Sequence, residues 1–343
     1  MSLFFGGLSF APSGASCLGV PRWLLRVEGA GELLLWDWVA PDMAPEAVVA
    51  SLEGLLARLG QGQGQPLVVG GGDDRAVIDS SPGWRQVVAR ALGRIARGEL
   101  EKVVLARSVE VLGNENFSAF GLLERLRQRS CHCTLFLMEM GRGQTFVGAT
   151  PEMLLQFAWH HDRLDLVSDA LAGSSGRGEF LLRSGKDLRE HQIVIDSILD
   201  AYNSVGAAVG QIGSPQLLQL QHIQHLHTQI VGTWRTPAWQ NVFQLLELLH
   251  PTAAVGGRPR AQALEFIRQF EPCDRQGYAA PIGWFNGEGR GEFAVAIRSG
   301  YVTGNRVKMF AGAGIVQDSQ IDREWEETNL KLQGMLRALG LAD

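Results

Sequence analysis

Apolar residues recurring at every second position mark one strand after another along this chain, mostly without a helix in between. Parallel neighbours need a crossover of a dozen or more residues, whereas antiparallel neighbours need only a short turn. Helical patterns interrupt the strands without a strict strand–helix–strand rhythm, so an α+β fold with antiparallel sheets is expected. The clearest run is Glu101-Lys102-Val103-Val104-Leu105-Ala106-Arg107. Val103, Leu105, Val109 and Val111 share one face, which leaves Lys102, Val104 and Ala106 on the other. Strands are also predicted over 134–140, 145–149 and roughly 217–234. Hairpins are predicted over 154–168, turning at His160-His161-Asp162-Arg163, and over 293–310, turning at Thr303-Gly304-Asn305-Arg306.

The first clear helix follows Ser81-Pro82, a capping residue and a proline suited to a first turn. Trp84, Val87, Val88, Ala91, Leu92 and Ile95 fall at helical spacing, and Gly98 can end it. Further helices are predicted over 186–209, 239–249 and 260–269. A last one starts near Ser319 with Trp325, Leu332, Met335, Leu336 and Leu339 as its apolar stripe. Residues 1–80 form a β-rich N-terminal part, with a hairpin over 23–38 and a flexible loop at Gly60-Gln61-Gly62-Gln63-Gly64-Gln65-Pro66. Residues 81–343 form the core of one domain spanning 1–343. Gly287-Glu288-Gly289-Arg290-Gly291 joins strand to strand and is a turn. No Walker A or dinucleotide fingerprint is present.

The net charge of -5 comes without a basic stripe, which argues against nucleic acid as partner. No apolar run reaches membrane-spanning length, so no membrane association is expected. The first residues lack the basic segment of a signal peptide. Four cysteines, Cys17, Cys131, Cys133 and Cys273, are too sparse for a disulfide scaffold. A reducing compartment, bacterial cytosol or plastid stroma, is expected.

Several residues can carry chemistry. Lys102 is either a solvated charge at a sheet edge or a lysine pressed among apolar side chains. In the second case it loses hydration, holds its proton less tightly and can act as a general base. Glu152, in Gly148-Ala149-Thr150-Pro151-Glu152, is either a helix N-terminal carboxylate or an acid whose burial keeps it protonated. Glu324 and Glu327 are three apart on one helix and point to one side. With Glu190 from another helix they suit a hard cation, or they form surface pairs such as Glu327 with Lys331. Arg298, with Ala294 and Ala296 on its strand face, has space to capture a carboxylate. Ala311-Gly312-Ala313-Gly314 exposes backbone N–H groups to an anion, or marks close packing. His222, His225 and His227 do not make a persuasive metal set, because His222 falls on the opposite strand face. Cys131-His132-Cys133 reads as a packed strand start. His250 is a pocket donor or a cap.

The order and spacing of these segments, with Arg189-Glu190-His191-Gln192, His250-Pro251-Thr252-Ala253-Ala254-Val255-Gly256-Gly257 and Glu324-Trp325-Glu326-Glu327-Thr328, resemble the chorismate-utilising enzymes from about residue 81 to the C-terminus. Phe5-Gly6-Gly7-Leu8-Ser9-Phe10-Ala11-Pro12 resembles the isochorismate synthases of menaquinone and related quinone pathways. The resemblance implies two antiparallel sheets packed together with helices outside. It implies Mg²⁺ held by Glu190, Glu324 and Glu327, Lys102 as base and Glu152 as acid. It implies chorismate binding by Ala172, Gly173, His250, Thr252, Arg298, Gly312, Ala313 and Gly314. Amine-forming relatives commonly carry lysine where Ala172 stands, so water is the expected nucleophile and no glutamine amidotransferase subunit is expected. The loop between Gly173 and Glu190 is shorter than in relatives. The competing readings are a salicylate synthase, a siderophore-pathway isochorismate synthase, a silent chorismate-binding protein and, last, an anthranilate-type enzyme.

Overall fold

In the computed structural model, two antiparallel sheets share one core. The structure describes residues 3–7, 10, 17–19, 23–28, 32–37, 47, 49–50, 53, 68–72, 74–79, 81–176, 181–221, 223–236 and 238–341. The Gly/Gln loop at 60–66, His222 and part of the short loop before Glu190 lie outside them.

The first sheet contains β1 (Leu3–Gly7), β2 (Cys17–Gly19), β9 (Met153–His160), β10 (Arg163–Ser175), β11 (Ala208–Ile212), β12 (Gln216–Gln219), β13 (Gln224–Trp234), β15 (Pro281–Asn286) and β16 (Arg290–Val295). Their order is β11-β13-β10-β9-β16-β15-β1-β2, with β12 beside β13. The second contains β5 (Arg75–Asp79), β6 (Lys102–Gly113), β7 (Thr134–Gly141), β8 (Gln144–Thr150), β14 (Gly257–Arg258), β17 (Ser299–Thr303) and β18 (Arg306–Ile315). Its order is β14-β6-β18-β17-β8-β7, with β5 beside β6. A separate hairpin pairs β3 (Trp23–Glu28) with β4 (Glu32–Asp37). Leu105 and Ala313 from one sheet meet Leu155 and Phe293 from the other in the main core.

Among the described residues there are six helices, α1 (Trp84–Ala96), α2 (Ala119–Arg129), α3 (Gly185–Ser204), α4 (Val242–Leu249), α5 (Arg260–Phe270) and α6 (Ile321–Ala338), and all but α2, which the sequence reading missed, fall where apolar periodicity places them. Helix α3 packs on β10 of the first sheet, and α6 on β18 of the second.

The differences from sequence expectation have local causes. Ser81 does not cap α1, because its hydroxyl accepts from Ser108 N at 2.8 Å; Gly83 holds the cap at φ +88°. Helix α3 stops at Ser204 rather than near 209, where Gly206 turns the chain at φ +72°. The expected strand over 217–234 is a hairpin of β12 and β13. The run 293–301 is split: β16 ends at Val295 and β17 begins at Ser299 in the other sheet. Arg298 is therefore on a crossover, not a strand. Cys131 and His132 lie in the turn before β7, not at a packed strand start. The turns at 160–163, 287–289 and 303–306 fall where the sequence places them.

Candidate active site

Two crossovers between the sheets lie side by side. One runs from β8 through Pro151-Glu152 to β9, the other from β16 through Ala296-Ile297-Arg298 to β17. They are tied together: Val295 N donates to Glu152 O at 3.0 Å, and Ala149 N to Arg298 O at 3.1 Å. Glu152 and Arg298 thus reach one cavity from neighbouring turns. No helix follows Glu152, so no helix dipole stabilises its charge. It is 3% exposed. Burial pushes its pKa up to about 8, against the attraction of Lys102 and Arg298. The carboxyl keeps its proton at neutral pH.

Lys102 is not a solvated charge: it is fully buried at the start of β6. Its Nζ stands 3.0 Å from Glu190 Oε1, an ion pair without a well-directed hydrogen bond. Glu190 lies on the buried face of α3 with Val194 and Ile198. Burial works to raise the Glu190 pKa, but Lys102 and Lys186 reverse this and hold the carboxyl below its ordinary value. Gly314 makes the approach possible. A Cβ there would stand 2.1 Å from Glu190 Oε1 and 2.9 Å from Lys102 Cε.

Glu324 and Glu327 occupy the buried face of α6. Lys186 Nζ lies 2.8 Å from Glu324 Oε1, yet neither Glu324 oxygen receives a well-directed hydrogen bond among the described residues. Burial, then repulsion by Glu327, pushes Glu324 up to about 7. Glu327 does pair with Lys331, at 2.6 Å, but the pair is largely buried rather than at the surface. Lys331 also donates to Gly312 O at 2.8 Å. Each of the three carboxylates meets a lysine, and no group of three His, Cys, Asp or Glu converges as a formed metal centre among the described residues. The three supply hard oxygen donors, and the unsatisfied oxygens of Glu324 fit a hard cation such as Mg²⁺.

The cavity is lined by Ala172, Gly173, Arg298, Gly312 and Gly314, together with Glu152 and Glu190. Gly173 sits at φ +76° in a β-bulge between β10 and β13, which aims Ala172 inward. Three other expected contacts do not line the cavity. The His250 ring packs edge-on against Phe10 at 5.7 Å, and burial lowers its pKa to about 3. Thr252 Oγ1 accepts from Ala254 N at 3.2 Å and shapes the loop whose Ala254 and Val255 do line the cavity. Ala313 points into the main core, because strand alternation sends it opposite Gly312 and Gly314.

Other lining residues escaped the sequence reading. His225 bridges two walls, with Nδ1 2.9 Å from Ser174 Oγ and Nε2 2.8 Å from Arg298 Nη2. A guanidinium only donates, so Nε2 accepts and Nδ1 carries the hydrogen. Burial, then Arg298, keeps this ring neutral. His227 turns instead to Asp169, at 3.0 Å. Arg275 forms a buried bidentate pair with Glu271 and donates to Val104 O at 2.8 Å and Val255 O at 2.7 Å. The i,i+4 spacing of Glu271 and Arg275 was the available signal. Tyr278 stacks on Phe310 at 5.1 Å beside Gly312.

The sequence profile of the chorismate binding enzymes matches residues 2–340. The chain belongs to the chorismate-binding enzyme family. Within that family, isochorismate synthase MenF of Bacillus subtilis (strain 168) is 35% identical over 98% of this chain and 74% of its own length. Isochorismate synthase EntC of Escherichia coli (strain K12) is 34% identical over 78% of this chain and 70% of its own. The structure of MenF, the menaquinone-specific isochorismate synthase of Escherichia coli, matches with a TM-score of 0.81 and 28% identity over 98% of this chain and 78% of that one. Anthranilate synthase component I of Streptococcus pneumoniae shares the fold, with a TM-score of 0.78 at 20% identity over 97% of this chain and 80% of that one.

Proposed function

We propose that the protein is an isochorismate synthase of the menaquinone type, acting on chorismate in the bacterial cytosol without a glutamine amidotransferase subunit. The observation that carries this reading is a buried lysine, Lys102, paired with Glu190 behind the cavity wall, together with a buried carboxyl, Glu152, that keeps its proton and lines the cavity with Ala172. Ala172 offers no amine to attack the ring, which leaves water as the nucleophile. The relatedness to MenF across almost the whole chain supports the menaquinone assignment.

In this reading, Lys102, after passing its own proton to solvent, takes a proton from the water that attacks C2. The ring double bonds shift, the C4–oxygen bond breaks, and Glu152 gives its proton to the departing hydroxyl. Lys102 ends as ammonium and Glu152 as carboxylate, and exchange with solvent resets both. Arg298, oriented by His225, holds the enolpyruvyl carboxylate, and the backbone at Gly312 lets that group approach closely. Mg²⁺, bound by Glu190, Glu324 and Glu327, would neutralise and position the ring carboxylate.

Purified protein incubated with chorismate and Mg²⁺, with products separated by HPLC, tests the proposal. Isochorismate is expected, without salicylate or pyruvate. Lys102→Gln should lower kcat by roughly 10²–10⁴. Pyruvate release by the parent, or a Lys102→Gln variant at the parent rate, would overturn it.

A further inference from the structure

The cavity around Ala172, Glu152 and Glu190 has about 40 Å³ of free volume, room for a few water molecules. Beside it lies a cavity of about 640 Å³. The two share Arg298 and Lys331. We propose that the larger cavity is the vestibule by which a small dianion reaches the reaction site, passing between Arg298 and Lys331. This rests on chorismate, with its two carboxylates, being the substrate.

Charge is the first argument. The chain carries 36 acidic and 31 basic residues, so its average field repels a dianion. The vestibule reverses this locally: Arg129, Arg298 and Lys331 line it, and none of the described residues lining it is acidic. Such a lining concentrates anions and speeds their capture. Shape is the second argument. Leu126, Ile223, Leu330 and Met335 supply apolar wall, and Gln128, Ser130, Gln219 and Gln221 supply uncharged polar groups. The uncharged wall holds a dianion less strongly than the two shared cations, which draw it onward. Those two are held in place, Arg298 by His225 and Lys331 by Glu327 and Gly312 O. They form a fixed pair of cations where the two cavities adjoin.

Gly334 provides the test. It lies on α6 at the vestibule wall, and no heavy atom comes within 4 Å of where its Cβ would stand. A side chain there fills the vestibule without disturbing backbone, and replacing a helix-interior glycine favours the helix. Gly334→Trp should lower kcat/KM by roughly tenfold or more and leave kcat within about twofold, because capture is slowed and chemistry is not. The stopped-flow association rate of chorismate should fall equally, and Gly334→Ala should match the parent. In the native chain, a bulky maleimide on the exposed thiol of Cys131, located by peptide mapping, should have the same effect. A folded Gly334→Trp variant with parental association rate and kcat/KM would overturn the route. A parent that binds chorismate without converting it would overturn the proposed activity alone, leaving the association rates to decide the route. A parent that binds no chorismate would overturn both.

Discussion

Glu152 holds a proton because the chain crosses between sheets at that point and carries the carboxyl out of reach of water. Its pKa, pushed up to about 8, sets two pH effects. For catalysis, the acid is loaded below that value, so kcat should fall as pH rises through about 8. Glu152→Gln should lose roughly 10²–10⁴ in kcat. For stability, the unfolded carboxyl titrates near roughly 4.3, so across the interval up to about 8 the native state binds a proton the unfolded state has released. Stability contributed by this group is complete below the lower value and is lost as pH rises through the higher one. Glu152→Gln lacks this slope, and its thermal midpoint should gain on the parent's between those two values. A parallel pair of midpoint curves would show that Glu152 ionises normally. The sequence made Glu152 visible as a residue after proline in a tight loop. It could not reveal the burial, which comes from a crossover far along the chain.

At the scale of elements, carboxylates at core positions were the legible signal. Glu190 falls four residues before Val194 on the buried face of α3, and Glu324 and Glu327 fall on the stripe of α6 that also carries Leu332 and Met335. A charge on an apolar stripe requires a partner, and here the partners are lysines. Arg298 was harder to place. Its surroundings from Phe293 to Tyr301 read as one strand because neither Gly nor Pro marks the crossover before Ser299, and Arg298 itself takes φ +53°. The glycines of β18 were legible only as an ambiguity between an anion cradle and close packing. For Gly314 the structure favours packing, since its missing side chain admits Glu190 and Lys102 together. Gly314→Ala should therefore separate that pair and abolish most turnover, while Gly334→Ala, with open space around it, should be silent. Gly314→Ala retaining most of the parent kcat would mean that the Lys102–Glu190 contact is not needed for the reaction.

Across the whole molecule, the strand pattern was enough to give antiparallel sheets, and the family resemblance implied two of them, but their pairing order depends on contacts between distant segments that no local pattern encodes. The same long-range assembly creates a charge balance. Lys102, Lys186 and Lys331 face Glu190, Glu324 and Glu327, and the Lys186 ammonium interacts with all three carboxylates, which together hold its pKa above its ordinary value despite burial. With Glu324 ionised, above about pH 7, three positive and three negative groups cancel in a buried cluster. Adding a divalent cation alone leaves an excess of two positive charges there, and adding a dianion alone leaves an excess of two negative ones. Adding both restores neutrality, and buried unpaired charge is costly. Mg²⁺ and chorismate should therefore strengthen one another's binding, by the same factor in each direction. In thermal-shift measurements on Glu152→Gln, which turns over too slowly to consume the ligand and keeps all six groups, the midpoint rise with both present should exceed the sum of the two separate rises. Glu324→Gln should reduce that excess, since it removes a negative charge from the side of the cluster where no hydrogen bond is well directed. Strictly additive shifts would mean that the two ligands do not share this cluster, and the assignment of Glu190, Glu324 and Glu327 to the cation would fall.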